Sequence, residues 1–327
     1  MKASLLNTCC WCVFALWSAV VPTEVLAQSY PTKPVRVLVP FAAGGSVDIV
    51  GRAMAQVLST SLGQSFVAEN RPGAGGLIAL DILAKSAPDG YTIAVGSAGP
   101  LTVSPTIYKE RLFDPLAQLE PVVLFANTPG TILVRHDLPA ATVRDLIALS
   151  KTSPGRLNMA SAGSGSVLHL IGEYFQEANG IKWVHIPYKG SAPALVDLAA
   201  GRADVMIDSP PSSAPFVKSG KIRVLAVTAQ RRSNLIPDAA TLEEQGFPGY
   251  DMGSWMGIVA PKGTPPDIVM RLNGVLVKSL SSREMLERLA NIGAEPEGGS
   301  PQQFGQRIQT ELRRWSELIA RAGIKAN

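Results

Sequence analysis

The sequence predicts an α/β protein of two lobes, each a sheet with helices packed on it. Three observations carry that expectation. β-branched runs alternate with segments of helical apolar spacing from residue 35 to residue 97, and the same alternation restarts near residue 131. A composition of 46% hydrophobic and 17% charged residues over 327 positions suits a packed core and excludes a disordered chain.

Residues 35–39 form a β-branched run closed by Pro40, the first expected strand. The loop 41–45 follows, and Ser46 reads as the N-cap of a helix over 47–62. Its apolar Val50, Met54, Val57 and Leu58 recur at helical spacing. A strand over 65–68, the glycine-rich loop 70–76 and a helix over 77–85 come next. Asp89-Gly90 then turns the chain into a third strand, 91–95, which ends at Gly96-Ser97. This order predicts a largely parallel sheet.

The second alternation places strands at 131–134, 157–160, 183–186, 203–207 and 223–227. Thr142 caps a helix reaching about residue 150, and a helix over 167–178 carries Leu168, Ile171 and Phe175 on one face. Ser191 opens another, to residue 200. Beyond Gly246 the pattern loosens into a strand over 256–260 and helices over 267–280, 282–291 and 304–322. That block is small for a third core and is expected to pack back on the first lobe.

The first 27 residues read as a secretory signal. Lys2 precedes an apolar run from Leu5 to Val21, and Val25-Leu26-Ala27 is a small-residue cleavage site. Asn7, Thr8 and Ser18 interrupt the run, which is shorter than the roughly 20 apolar residues of a membrane span. The expectation is a cleaved segment 1–27 and a periplasmic mature chain. Cys9, Cys10 and Cys12 all precede that cut, so the mature chain is expected without disulfides. A net charge of +4 with no Lys/Arg stripe argues against a nucleic-acid partner.

Parallel α/β sheets bind ligands beyond the carboxyl ends of their strands, where helix N-termini offer free N–H groups to an anion. Two loops have that design. One holds Phe41, Gly44, Gly45 and Ser46; the other holds Ser161, Gly163, Ser164, Gly165 and Ser166. The glycines let backbone approach a ligand and the serines add hydroxyls. Alternatively the glycines only make tight turns and the serines only cap. As a pair, one per lobe, the loops point to an anion site between lobes. Three further residues stay open between two roles. Asp48 complements its helix dipole or meets a ligand amine, His169 bonds its neighbours or touches the ligand, and Asp208 serves the core or the site. Neither loop contains Arg or Lys, and Arg52 and Arg71 are expected to point away, which suits a small carboxylate better than a nucleotide.

The motifs of nucleotide binding and serine hydrolysis fail on spacing, and His136, His169 and His185 form no H-E-x-x-H pair. No cofactor, no metal and no catalysis are expected.

Several segments resemble one family. They are PVRVLVPFAAGGSVDIVGR (34–52), AENRPGAGG (68–76), PDGYTIAVGS (88–97), ASAGSGSVLHL (160–170) and PYKGSAPALVDLAAGRADVMID (187–208). GKIRVLAVTAQRR (220–232) and TLEEQGFPG (241–249) complete the set. In this order they resemble the tripartite tricarboxylate transporter receptors, the Bug family of extracytoplasmic solute-binding proteins. The resemblance implies a type II periplasmic-binding-protein fold with a ligand cleft between two lobes. Lobe 1 would comprise 28–127 and 228–327, and lobe 2 would comprise 128–227. It implies a monomer that captures a small carboxylate for a two-component membrane permease. By position, Gly44, Gly45, Ser46, Asp48, Ser97, residues 161–166 and Asp208 fall at the ligand. Ala43 and Val47 stand where Pro and Thr are common, and Val47 removes a hydroxyl beside the first loop. A sensor subunit feeding a membrane signalling protein is the alternative, and a hydrolase of the bound acid is a third reading.

Overall fold

Two mixed sheets organise the chain. The computed structural model describes residues 30–108 and 114–322, so the expected signal and all three cysteines lie outside the described residues. The first sheet contains β1 (Val35–Val39), β2 (Phe66–Asn70), β3 (Thr92–Ser97), β4 (Leu119–Pro129), β10 (Gly253–Pro261) and β11 (Glu295–Gly298). Their order is β11-β4-β10-β3-β1-β2. β1 pairs in parallel with β2 and β3, whereas β10 runs antiparallel to β3 and β4, and β11 antiparallel to β4. The largely parallel sheet expected from sequence is thus corrected to a mixed one. The antiparallel half arises because the chain returns from the second sheet in the opposite direction. β4 and β11 were not expected at all.

The second sheet contains β5 (Thr131–Arg135), β6 (Asn158–Ser161), β7 (Val184–Pro187), β8 (Val205–Asp208) and β9 (Ile222–Val227), in the order β7-β6-β8-β5-β9. β6 is parallel to β7 and β8, and β5 is antiparallel to β8 and β9.

The helices, among them α2 (Leu77–Ala84), α3 (Ser104–Ile107), α4 (Pro115–Gln118) and α10 (Arg283–Asn291), form where apolar periodicity and capping agree. In α1 (Ser46–Leu62), Val50, Met54 and Leu58 are fully buried against the first sheet. Gly63, at φ 71°, ends that helix by returning its N–H to the Ser59 carbonyl. The N-cap of α1 is Gly45 rather than Ser46, because the Ser46 hydroxyl is engaged across the molecule (below). α5 (Val143–Thr152) begins with a reciprocal capping box between Thr142 and Asp145. α6 (Val167–Asn179) buries Leu168, Ile171 and Phe175, the face expected. The C-terminal helices α9 (Pro266–Leu280) and α11 (Pro301–Ala322) return to the first sheet, where both pack on β4. There Phe304 meets Trp255 edge-on, with ring centroids 5.5 Å apart.

The chain passes between the sheets twice. β4 runs into β5 through Gly130, and residues 228–252 lead from β9 to β10. Thr228 stitches the two crossings together. Its N–H donates to the Gly130 carbonyl at 2.8 Å, and its hydroxyl to the Met252 carbonyl at 2.6 Å. A Cβ at residue 130 would stand 2.4 Å from Thr228 Oγ1, so this close approach requires glycine.

Candidate ligand-binding site

Parallel strands and the helices that follow them deliver loops from both sheets to one place. From the first sheet come the β1–α1 loop and the turn after β3. From the second come the β6–α6 loop and the starts of α7 (Ser191–Ala199) and α8 (Pro210–Lys218). The two sides touch. Ala42 N–H donates to the Lys189 carbonyl at 3.0 Å, Ser104 Oγ to the Gly165 carbonyl at 3.0 Å, and Tyr108 Oη to the Ser164 carbonyl at 3.1 Å.

Between them lies a cavity of about 30 Å³, room for little more than a water. Phe41, Gly45, Ser46 and Val47 line it from the β1–α1 side, with Ser97 and Gly99 after β3. Ala162, Ser166, Val167 and Leu168 face it from the β6–α6 side, with Ser191 and Ser209 beside them. Ser254 and Met256 of β10 complete the wall. No Lys, Arg, Asp or Glu is among these residues.

The helix starts supply the positive character instead. α1 and α7 begin at Gly45 and Gly190 with no side chain satisfying their first N–H groups. α6 begins at Ser166, whose hydroxyl accepts only the His169 N–H. Three helix N-termini therefore present unsatisfied donors and the positive ends of their dipoles to one small volume. The Ser97 hydroxyl, buried at the end of β3, has no hydrogen-bond partner among the described residues.

Five of the residues expected from sequence line the cavity: Phe41, Gly45, Ser46, Ser97 and Ser166. The others stand behind it. Gly44, at φ 80°, donates its N–H to Asp48 Oδ2, whereas Gly45 has an ordinary φ of −81°. Asp48 also accepts from Arg52 Nε at 2.9 Å and from Asn70 Nδ2 at 2.8 Å. Burial raises the pKa of Asp48, but the Arg52, Gly44 and Asn70 hydrogen bonds outweigh it and hold the carboxyl below its usual range. The Ser161 hydroxyl accepts the Gly163 N–H at 3.1 Å and lies 2.6 Å from His185 Nε2. Gly165 N–H points to His169 Nδ1 at 3.4 Å, and the His169 ring stacks on His185 with centroids 3.9 Å apart. Burial and the neighbouring His169 push the His185 pKa down to about 4, with Glu173 opposing. The backbone N–H groups of Gly163 and Gly165 are thus already taken within their own loop. Ser164 contributes its carbonyl to Tyr108.

Asp208 is fully buried. It accepts from Ser191 Oγ at 2.7 Å and from Ser212 Oγ at 2.5 Å. With no cation beside it, burial raises its pKa to about 6, against the opposing bonds from Ser212, Ser191 and the Ser209 N–H.

Sequence reasoning passed over Ser191, Ser209 and Ser254. Ser191 read only as a helix opener. Ser209 follows Asp208 and precedes Pro210-Pro211, a pattern that marks a strand-to-helix junction and could have flagged it. Ser254 lies on the second crossing, where nothing local distinguishes it.

Residues 50–324 match the family described as Tripartite tricarboxylate transporter family receptor. Among solved structures, a Rhodopseudomonas palustris protein solved with adipate is 40% identical at TM-score 0.88, covering 90% of this chain and 99% of its own. The periplasmic binding protein BugD is 36% identical at TM-score 0.87, covering 90% and 99%. MatC from Rhodopseudomonas palustris, solved with malate, is 32% identical at TM-score 0.85, covering 89% and 100%. The expected architecture of two α/β lobes around a cleft holds across these structures. With its sequence matched over most of its length and its fold shared with those structures, this chain belongs to the family of tripartite tricarboxylate transporter receptors, the Bug-type solute-binding proteins.

Proposed function

We propose that this protein captures a small carboxylate in the cavity between its two sheets and releases it chemically unchanged to a two-component membrane permease. The observation that carries this reading is the convergence of three helix N-termini and a set of serine hydroxyls on a cavity lined by no charged side chain. Such a site holds an anion through backbone donors. The adipate and malate bound by relatives of like fold support a carboxylate. Contacts are assigned to Phe41, Gly45, Ser46, Ser97 and Ser166, joined by Ser191, Ser209 and Ser254. Gly44, Asp48, Ser161, Gly163, Ser164, Gly165, His169 and Asp208 shape the loops behind them.

A cavity of about 30 Å³ is too small for an organic acid. Admission therefore requires the loops of the two sheets to part, turning about the crossings at Gly130 and Thr228. The sheet each strand joins supports lobes at 28–127 with 228–327, and at 128–227. The proposed location is the periplasm, after removal of residues 1–27. Among the described residues, no helix is long and apolar enough to cross a membrane.

A thermal-shift screen of carboxylates, followed by mass analysis of the recovered ligand, tests the reading. A cognate acid at 100 times its dissociation constant stabilises the protein by about 2.7 kcal/mol. It is recovered intact. Turnover of the bound acid within minutes, or stabilisation by uncharged solutes alone, sinks the proposal.

A further inference from the structure

We propose, on the footing that the cavity takes a carboxylate, that the buried Asp208 turns three serine hydroxyls of its lining into hydrogen-bond acceptors, so that the ligand is a carboxylate also bearing a hydroxyl or ammonium group. The direction of each hydrogen bond follows from a count of protons. An ionised carboxylate only accepts. Ser191 Oγ, 2.7 Å from Oδ1, and Ser212 Oγ, 2.5 Å from Oδ2, therefore donate to Asp208. The other acceptor within reach of Ser212, the Ser209 carbonyl, is farther away at 3.2 Å and uncharged. With its single proton committed, Ser212 must accept at its 2.7 Å contact with Ser46 Oγ. Ser46 in turn can only accept from Ser209 Oγ, at 2.9 Å. Four hydroxyl protons thus run towards one carboxylate.

Three of those hydroxyls, on Ser46, Ser191 and Ser209, line the cavity. Each shows the ligand lone pairs and no proton. The donors in the same lining are the N–H groups at the helix starts, those of α1 and α7 beside Ser46 and Ser191 included, the Ser97 hydroxyl, and Ser166, whose proton is free because its oxygen accepts the His169 N–H. A ligand carboxylate fits the donors. Carboxylate oxygens or bare methylenes against the three accepting hydroxyls would leave lone pairs opposed or unpaired, whereas a hydroxyl or ammonium group satisfies them. The serines carry no charge to distinguish an alcohol from an amine, so the test includes both.

Isothermal titration at about pH 8, where Asp208 is ionised, compares aliphatic and aromatic acids with their hydroxy and amino analogues of the same carbon skeleton. In the series that binds, the substituted acid is expected to bind at least about 10-fold tighter than its unsubstituted parent. In Asp208→Asn the amide donates at one end, reverses part of the proton order and cuts that ratio below about 3-fold. Ser191→Ala, with its melting curve recorded as a check on folding because it also removes the donor to Asp208 Oδ1, should narrow the same ratio. Equal affinity for parent and substituted acid, or an unchanged ratio in both folded variants, overturns the donor requirement while leaving carboxylate capture standing. If no acid binds and uncharged solutes do, carboxylate capture fails and this proposal with it.

Discussion

Two buried aspartates flank the cleft, and they are built in opposite ways. Asp48, on the first sheet's side, is wrapped by Arg52, Asn70 and the Gly44 N–H. Asp208, on the second sheet's side, has serine hydroxyls and one backbone N–H for company. The guanidinium neutralises the first charge where it sits, so Asp48 does structural work, holding the glycine turn that aims α1. The second charge is left uncompensated, and its field is transmitted through hydroxyl protons to the cavity wall. The same residue type fixes a loop in one place and polarises a site in the other. What differs is a cation four residues along the same helix and the deeper burial of Asp208.

The largest effect that sharpens this contrast is expected from Asp48→Ala. It strands the Gly44 N–H and leaves the Asn70 amide only the Phe41 carbonyl and Arg52 only the Asn70 oxygen, which should cost about 3 kcal/mol in urea unfolding. A loss below about 1 kcal/mol would mean that the first aspartate does not hold its loop.

Next comes the pH dependence, where the two aspartates act with opposite sign. Asp208 holds its proton more tightly folded than unfolded, between the ordinary carboxylate value of 3.8 and about 6. Its contribution to stability is therefore greatest below that window and is lost as pH rises through it, by about 3 kcal/mol in full. Asp48, with its pKa lowered, contributes stability that is present above the usual carboxylate range and lost on acidification. Unfolding free energies of wild type and Asp208→Asn, measured from about pH 4 to about pH 7, should diverge in favour of the variant as pH rises. A constant difference would place a proton or a cation on Asp208 and erase the contrast.

The smallest effect is expected at Ser97, whose buried hydroxyl has no partner among the described residues. Ser97→Ala removes an unsatisfied polar group and should leave the unfolding free energy unchanged or raised by up to about 1 kcal/mol. Ligand affinity should fall at the same time. A destabilised variant with full affinity would show that the hydroxyl belongs to the core.

How much of this was legible beforehand follows from the reach of the interactions. α1 and α6 were readable because their buried positions recur along one helix face, and α5 because Thr142 and Asp145 cap it locally. β4 was not. Its Leu119–Pro129 run contains two prolines and is buried across most of both faces, so it lacks alternation. β11 is Glu-Pro-Glu-Gly, mostly exposed, and exists only because it pairs with β4. At the site, the Asp48–Arg52 spacing was visible in the sequence, whereas Asn70 arrives from another strand. For Asp208 the decisive partners, Ser191 and Ser212, lie on different helices, and Ser46 is contributed by the other sheet. A hydroxyl whose role is set by the direction of its proton leaves no trace in spacing or periodicity.

The strand order has a consequence for how the molecule comes into being. The second sheet draws all its strands from one contiguous stretch, from β5 at Thr131 to β9 at Val227. It can collapse as soon as that stretch is available. The first sheet cannot, because its interior strand β10, between β3 and β4, begins only at Gly253, and β11 joins β4 later still. Until then β3 presents an open edge and β4 has no partner on either side, and closing the sheet means joining segments separated by the whole of the other lobe. Contacts of such long sequence separation form slowly and leave strand edges exposed to other chains in the meantime. Maturation is therefore ordered, with the inserted sheet acting as an early-folding unit that brings β4 and β10 side by side. A nascent chain that stops short of β10 would carry one finished sheet and one adhesive half-sheet.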